Sequence, residues 1–364
     1  MLIWIAFLVF ILALLALDLG VFHRESRVVR PREAMAWTCV WMVVALAFAG
    51  FVYLGYANHW LGMGLDPDAA ERSAAFPEGR VNDARAATLK YLTGYVVELS
   101  LSVDNVFVIA MLFTYFGVPP QFQHRVLFWG ILGALAMRGV MIALGATLVA
   151  QFSWLLYVFG GLLIVTAVRM VSIADGHQNP EQTLVVRAIR RFLPVTQEFH
   201  GEHFFVRAST PAANGGARRG GLVLTPLALV LAMVESTDLL FAIDSIPAIL
   251  SITADPFLVF TSNVFAILGL RSLYFALAGA LDAFRYLKYA LAAVLLTIGV
   301  KMLAHTWLER VLGDRLTLYV LAAVVAILGA GVAASMAHRW LGRTRSQATT
   351  ESATLSVTAR FQDE

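Results

Sequence analysis

Glu98 to Asn105, read as E-L-S-L-S-V-D-N, lies inside an apolar run from about Tyr91 to Phe116. That run is long enough to cross a lipid bilayer as a helix. An ionised carboxylate at this depth costs about 2.5 to 3.5 kcal/mol on insertion scales, so Glu98 and Asp104 require partners, water, protons or a bound cation. These two acids are therefore the first candidates for a functional site.

A second apolar run, Leu222 to Leu250, has the same feature. Its polar motif E-S-T-D-L-L-F-A-I-D-S-I-P carries the acids Glu235, Asp238 and Asp244. Carboxylates inside membrane spans are rare, and they usually mark ion or proton pathways. Two such segments predict one shared site within the membrane.

The composition is that of a polytopic membrane protein. Of the 364 residues, 59% are hydrophobic and 14% are charged, and the mean hydropathy is +0.75, which is unlike soluble domains. The formal net charge is +3, and Lys and Arg lie mainly in the connections, which disfavours nucleic-acid binding. Cys39 is the only cysteine, so an intrachain disulfide and a C-x-x-C redox pair are excluded.

Nine apolar windows predict an all-α fold with about nine transmembrane helices. The windows cover residues 1–23, 34–57, 91–116, 126–150, 152–171, 222–250, 257–280, 287–307 and 317–338. The first window has neither a basic stretch before it nor an A-x-A cleavage site, so we expect a retained span rather than a signal peptide.

Arginines are concentrated in alternate connections between the windows. They are Arg24, Arg27, Arg30, Arg32, Arg187, Arg190, Arg191, Arg207, Arg218, Arg219, Arg339, Arg343 and Arg345. All of them fall on one side of a nine-span arrangement, and the positive-inside rule places that side in the cytoplasm. We predict an N-terminus outside and a C-terminus in the cytoplasm.

The connection from Ser172 to Gly221 is too long to be a turn. Residues 185–192 have the spacing of an amphipathic basic helix on the cytoplasmic leaflet, and residues 210–221 are predicted to be a Gly/Ala/Arg linker. His200 and His203, with two acids nearby, fit either a metal site or a hydrogen-bonded loop docked at the interface. Both interpretations of the histidines remain open.

The polar positions of the two acidic segments align with one another. The aligned pairs are Asp104 with Asp244, Glu98 with Asp238, Asn105 with Ser245, Arg138 with Arg271, and Arg169 with Lys301. Residues 91–171 and 222–307 are then three-helix units of opposite orientation. Such an inverted repeat is typical of secondary transporters, whose ion site lies at the membrane midplane. Chance similarity between apolar segments is the alternative.

These patterns divide the chain into successive segments. They are two N-terminal helices (1–57), an extracytoplasmic loop (58–90), the first three-helix repeat (91–171), a cytoplasmic loop with the amphipathic basic segment (172–221), the second three-helix repeat (222–307), a last transmembrane helix (308–343) and a cytoplasmic tail (344–364). The tail is polar and is predicted to be disordered.

Helical spacing places three polar side chains of the first acidic segment on one face. Glu98, Ser102 and Asn105 are separated by four and three residues, and Asp238 and Ser245 repeat the seven-residue interval from Glu98 to Asn105. These side chains are therefore expected to face the same site.

The two remaining aspartates point elsewhere on regular helices. Asp104 and Asp244 lie about 120° away from the faces just described. Pro247 would remove the backbone hydrogen bond to the Ile243 carbonyl. We expect a local helix break there, which would expose a carbonyl oxygen beside Asp244.

The ligands that these segments offer are carboxylate, amide, hydroxyl and carbonyl oxygens. Such hard donors suit Mn²⁺, Mg²⁺ or Ca²⁺ and discriminate poorly among them. Some acids would instead pair with Arg138 or Arg271 and only fix the packing of the repeats. Alternatively, the arginines neutralise an empty site, and carboxylates that take up protons on metal release couple efflux to proton entry.

The polar motifs resemble those of the TerC/Alx family of integral membrane proteins, named for tellurium resistance. They are E-L-S-L-S-V-D-N-V-F (98–107), E-S-T-D-L-L-F-A-I-D-S-I-P-A-I (235–249), F-A-I-L-G-L-R-S-L-Y-F (265–275) and R-F-L-P-V-T-Q-E-F-H-G-E-H-F-F (191–205). The resemblance implies a multi-pass protein of the bacterial inner membrane, related to the lysine-exporter superfamily. Members are implicated in Mn²⁺ efflux, metal loading of exported proteins, tellurite resistance, redox modulation and membrane-protein insertion.

The resemblance also implies the residues of a cation site. Carried over motif by motif, the metal ligands are Glu98, Asp104, Asn105, Glu235, Asp238 and Asp244. Helical spacing and charge add the supporting residues Ser102, Ser245, Arg138 and Arg271.

The sequence thus predicts a divalent-cation transporter, with Mn²⁺ export as the leading hypothesis. The expected partners are the lipid bilayer and the transported ion, with no permanently bound cofactor and with a homodimer left open. The alternative is a membrane factor that does not transport, and that acts in tellurite resistance, redox modulation or membrane-protein assembly through its cytoplasmic loop. An enzyme is not expected, because the sequence shows no nucleophile and base pair and no nucleotide loop.

Overall fold

The computed structural model describes residues 2–22, 31–68, 80–152, 154–172, 196, 199–211, 217–277 and 287–337. These residues are mainly helical. The helices are α1 (Leu2–Phe22), α2 (Pro31–Ala57), α3 (Ala84–Tyr115), α4 (Pro120–Gln151), α5 (Leu155–Ser172), α6 (Pro226–Leu250), α7 (Pro256–Leu268), α8 (Leu270–Leu277), α9 (Leu287–Leu303), α10 (His305–Leu312) and α11 (Leu316–Ala337). The all-α, polytopic fold class is confirmed.

Seven helices in the described part of the chain are long and apolar enough to cross a membrane, by length and composition. They are α2, α3, α4, α5, α6, α7 together with α8, and α11. The apolar part of α1, Leu2–Leu17, is shorter, and α9 has 17 residues. Each predicted window coincides with a helix, and the count of nine membrane crossings stays a prediction.

Side-chain caps fix where the central helices begin. The Asp83 side chain accepts a hydrogen bond from the Ala86 amide at 2.6 Å, so α3 begins at Ala84, ahead of the apolar window. Thr225 and Asp255 cap α6 and α7 in the same way, and each precedes a proline in the first helical turn. A capping oxygen followed by proline is a strong start signal, because the first amides of a helix lack intrahelical acceptors.

The expected break at Pro247 is wrong. Helix α6 continues through Pro247 and ends at Leu250. Every residue from Ser245 to Leu250 is buried, and packing on this scale outweighs the loss of one backbone hydrogen bond near a helix end.

Helix α3 occupies the centre of the bundle. It contacts α2, α6, α7, α8 and α9. Between the predicted units 91–171 and 222–307, the contact of α3 with α7 corresponds to the contact of α6 with α4. The third helices of the two units, α5 and α9, pack along each other. These are the pairs that two related three-helix units would form, while the inverted repeat itself stays a prediction.

Two antiparallel strand pairs lie outside the helices in the described part of the chain. Strands β1 (Pro67–Asp68) and β2 (Arg80–Val81) pair between α2 and α3. Strands β3 (Phe205–Pro211) and β4 (Ala217–Leu224) pair before α6, so much of the predicted linker at residues 210–221 is β-structure. The amphipathic segment at residues 185–192 and the tail at 344–364 lie outside the described residues.

The close contact of α5 with α9 depends on two facing glycines. A Cβ at Gly299 would lie 2.9 Å from the Gly160 carbonyl oxygen and 2.8 Å from the Ile164 side chain. These distances are shorter than side-chain contacts allow. A larger residue at either glycine would force the helices apart.

We expect Gly299→Ala to destabilise the purified protein by about 1 to 3 kcal/mol, the usual cost of overpacking a core. Gly161→Ala is the matched control, because a Cβ there meets nothing within 4 Å and alanine is the better helix former. Thermal unfolding in detergent compares the two variants. Equal stability of both would contradict the close packing of α5 on α9.

Candidate functional site

Arg138 of α4 lies at the centre of the polar cluster and is 1% exposed. Its guanidinium binds Asp238 of α6 through two hydrogen bonds, Nη2 to Oδ1 at 2.9 Å and Nε to Oδ2 at 3.3 Å. Its Nη1 also donates to Glu98 Oε1, to Asn263 Oδ1 at 3.1 Å and to Ser245 Oγ at 3.3 Å. One buried cation thus joins α4 to α3, α6 and α7.

The charges of this cluster do not balance when every group is ionised. Glu98 is fully buried and Asp238 is 9% exposed, and both pair with the single guanidinium of Arg138. Two carboxylates and one guanidinium leave one negative charge in a region shielded from solvent. Such a charge is costly unless a proton or a further cation compensates it.

Three buried oxygens on one face of α3 have no hydrogen-bond partner among the described residues. They are Glu98 Oε2, Ser102 Oγ and Asn105 Oδ1, and the three side chains are 0%, 1% and 4% exposed. The Asn105 amide nitrogen donates to Asp238 Oδ1 at 3.4 Å, which fixes the orientation of the amide. Buried polar atoms are nearly always satisfied, and carboxylate, hydroxyl and amide oxygens are hard cation ligands.

Asn263 belongs to the cluster although the sequence reasoning missed it. Its amide nitrogen donates to the Val259 carbonyl at 3.0 Å, so its Oδ1 faces Arg138. The side chain is 1% exposed. The available signal was the polar triplet T-S-N in the middle of the apolar helix α7.

Glu235 lies beside the cluster but is not part of the Arg138 network. It is one helical turn before Asp238 on α6, and a Cβ on Gly133 of α4 would overlap its carboxylate. Gly133 therefore provides the space that this acid occupies. Glu235 is half-buried.

The other two predicted ligands lie away from Arg138. Asp244 accepts a hydrogen bond from Thr166 of α5 at 3.1 Å. Asp104 is half-buried on α3, on a different face of that helix from Glu98. The structure therefore brings together Glu98, Asn105 and Asp238 from the predicted metal ligands, and it places Asp104 and Asp244 elsewhere.

Arg271 does not join the cluster around Arg138. Its Nη2 lies 3.2 Å from Nδ1 of His124 on α4, and both residues are buried. The His124 ring packs on Phe275 with a centroid distance of 4.2 Å. The two arginines that align in the sequence thus have different surroundings.

No group of three or more His, Cys, Asp or Glu side chains that could hold a metal ion occurs among the described residues. At the central cluster, the Arg138 guanidinium lies between the carboxylates of Glu98 and Asp238. In the loop before β3, Glu202 pairs with Arg125 at 3.0 Å on a partly exposed surface. A ready-made metal site is therefore absent from both places among the described residues, and Glu198, one of the two acids beside His200 and His203, lies outside them.

Comparison with known proteins gives a consistent family assignment. The chain matches the family described as "Integral membrane protein TerC family" over residues 84–345. It is 43% identical over 333 residues to "Uncharacterized membrane protein STKORF319" of Myxococcus xanthus, covering 92% of this chain and 91% of that protein. No solved structure matches it significantly.

Two further relatives carry a name that mentions a role. Proteins called "Putative membrane-bound redox modulator Alx" are 42% identical over 303 residues in Salmonella typhi and 43% identical over 304 residues in Escherichia coli strain K12. Each match covers 83% of this chain and 85% of the relative. All residues of the Arg138 cluster lie within the range that the family covers, and this chain belongs to the TerC family of integral membrane proteins.

Proposed function

We propose that this protein transports divalent cations, with Mn²⁺ export across the bacterial inner membrane as the leading case. The observation that carries the proposal is the row of unpartnered buried oxygens at Glu98, Ser102 and Asn105. These oxygens adjoin a cluster with excess negative charge. A hard cation would satisfy both the oxygens and the charge.

In this proposal Arg138 acts as an internal counter-cation. Its guanidinium holds Glu98 and Asp238 together when no metal is bound. An arriving cation shares or takes over these carboxylates, and the guanidinium returns when the cation leaves. Competition between a tethered and a mobile cation keeps metal binding weak enough for release, which transport requires.

The choice of Mn²⁺ rests on ligand chemistry and on the resemblance to the family. Oxygen donors without imidazole or thiolate disfavour copper and zinc. Mg²⁺ gives up its water shell reluctantly, so a dry site of protein oxygens favours larger cations. Mn²⁺ and Ca²⁺ fit this donor set better than Mg²⁺.

Proton coupling is part of the proposal. When the metal leaves, a carboxylate near Arg138 would take up a proton in its place, because an unpaired charge is costly inside the membrane. Metal efflux would then be driven by proton entry. A Mn²⁺ flux that is insensitive to collapse of the proton gradient would contradict this coupling.

The second candidate is a membrane factor that does not transport. It is favoured by the relatives named as redox modulators. Cys39 is the only cysteine of this chain and is exposed on α2, so the chain lacks the dithiol pair that thiol exchange within one molecule requires. A redox effect of this chain would therefore be indirect, for example through metal supply or through a partner bound by the cytoplasmic loop.

Mn²⁺ flux into proteoliposomes tests the proposed function directly. We expect the native chain to carry Mn²⁺ and both Glu98→Gln and Asp238→Asn to lose most of the flux, because each removes a carboxylate charge from the central cluster. Glu202→Gln is the control, because that acid pairs with Arg125 on a partly exposed surface and does not line the cavity beside α4. Flux that is equal in all four proteins, or absent from a folded native chain, would favour the second candidate.

The neutral ligand Ser102 allows a sharper test than the acids. We expect Ser102→Ala to weaken Mn²⁺ binding about 3- to 10-fold, or ~0.7 to 1.4 kcal/mol, and to leave the metal-free protein equally or more stable, because it removes a buried unpartnered hydroxyl. Ser100→Ala is the matched control, since the Ser100 hydroxyl donates to the Val96 carbonyl of its own helix. Isothermal titration and thermal unfolding measure the two effects. A purely structural Ser102 would leave binding unchanged.

Removal of Arg138 tests its role as a counter-cation. We expect Arg138→Met to lower the free energy of unfolding by about 3 to 5 kcal/mol in the presence of a chelator, which is the cost of leaving a buried charge without its partner. Addition of Mn²⁺ should restore much of this stability. Thermal unfolding with and without Mn²⁺ gives both values. A variant whose instability does not respond to any divalent ion would show that the carboxylates serve only to pair with Arg138.

A further inference from the structure

Asp68, in the loop between α2 and α3, is a buried carboxylate that joins three parts of the molecule. Lys90 of α3 donates to its Oδ2 at 2.9 Å, and both side chains are fully buried. The Thr253 hydroxyl donates to the same oxygen, and the Ala254 amide donates to Oδ1 at 2.7 Å. Asn82 adds a fourth donor at 3.3 Å. We call these five residues the Asp68 latch.

The backbone around Asp68 is fixed in place. Asp68 pairs with Arg80, and Pro67 with Val81, in the short ladder of β1 and β2. Gly64, at the start of this segment, has φ of +69°, and a Cβ there would lie 2.9 Å from the Asn82 carbonyl oxygen. Only glycine accepts both constraints without strain. These contacts therefore hold Asp68 against strand β2.

The turn between α6 and α7, residues 251–255, is held from several sides at this end of the bundle. Asp68 binds its middle, and the Lys301 ammonium of α9 donates to the Ser251 carbonyl. The Tyr56 hydroxyl of α2 donates to Asp255 at 2.6 Å. Helices α3 and α6 belong to different predicted repeats, so the Asp68 latch fastens one repeat to the other.

A cavity of 840 Å³ lies directly beside the Asp68 latch. At the loop end it is lined by Asp66, Asp68 and Asp255, and along α4 its lining reaches Gly139, the residue after Arg138. The cavity therefore extends from the acidic loop end toward the depth of the central cluster.

The surroundings of Asp68 keep it ionised. Burial alone would raise its pKa, but the Lys90 ammonium and the hydrogen bonds from Thr253, Lys90 and Ala254 hold the pKa below its usual value. The stability that follows from a lowered pKa is present above the unfolded pKa of about 3.9 and is lost only as the pH falls through the folded value. Protonation of Asp68 near neutral pH therefore does not open this contact.

We propose that the Asp68 latch is the gate that closes one end of the transport path, and that it opens and re-forms in each transport cycle. This proposal rests on the proposed function, because a gate requires a transport path. In the predicted orientation this end is extracytoplasmic. Alternating access requires such a contact between repeats, because one side of a midplane site must be closed while the other is open.

The gate can be tested by thiol labelling without any transport measurement. Cys39 is the only native cysteine, so Cys39→Ser gives a background in which Ser251→Cys is the single reporter. Ser251 is 3% exposed in the turn that Asp68 holds, and its hydroxyl bonds the Ala248 carbonyl and takes no part in the latch. The labelling rate by a maleimide in detergent then reports how often the latch opens.

We expect Asp68→Asn and Lys90→Met each to raise the labelling rate about tenfold or more, because each breaks the buried ion pair between Asp68 and Lys90. Thr253→Val removes one donor without changing charge and should give a smaller rise of about 2- to 5-fold, in the range of one hydrogen bond. Asp66→Asn, in the same loop but exposed, is the matched control and should leave the rate unchanged.

A second reporter separates gating from unfolding. Ala266→Cys replaces a fully buried residue of α7 and should stay unlabelled in every variant. The proposal is overturned if Asp68→Asn and Thr253→Val label no faster than Asp66→Asn, or if both reporters become reactive together, because the latch would then only hold the fold. Mn²⁺ flux is measured separately, so a chain that gates but carries no Mn²⁺ would contradict the proposed function alone.

Discussion

A guanidinium buried at membrane depth needs acceptors at the same depth, and this requirement organises the centre of the molecule. Arg138 is 1% exposed and draws its acceptors from three other helices. Glu98 comes from α3, Asp238 from α6 and Asn263 from α7. Charge-assisted bonds of this kind are strong in a low dielectric. Helices of both predicted repeats are thus joined through one side chain.

The sequence was sufficient for the helices and for one face of the site. Glu98, Ser102 and Asn105 could be placed together because helical spacing alone relates them. Asn263 could not, since its role depends on Arg138 arriving from another helix, which is a tertiary contact. Asp68 was also unpredictable, because an acid in a polar loop is normally solvated, and only the packing of the α6–α7 turn shows that it is buried.

The alignment of the two segments also has a physical limit. It relates Arg138, which binds Glu98 and Asp238, to Arg271, which lies against His124. Aligned charges show that two spans carry similar residues, but not which partners each one meets. Two related units that pack against each other need not keep equivalent sites, and here the unpartnered oxygens lie on α3. The site is therefore asymmetric even where the sequence suggests a repeat.

Charge balance limits how the divalent cation of the proposed function would occupy this site. With Glu98, Asp238 and Arg138 ionised the cluster carries −1, so a divalent ion would bring it to +1 while Arg138 remains and to zero only if Arg138 withdraws. Glu235, one turn from Asp238 and close to α4, supplies the missing charge: with its carboxylate ionised, the sum is zero with both Arg138 and the metal present. A buried site favours the neutral combination. Under the proposed transport function, an ionised Glu235 would therefore let Arg138 stay while the metal is bound, and a protonated Glu235 would require Arg138 to withdraw.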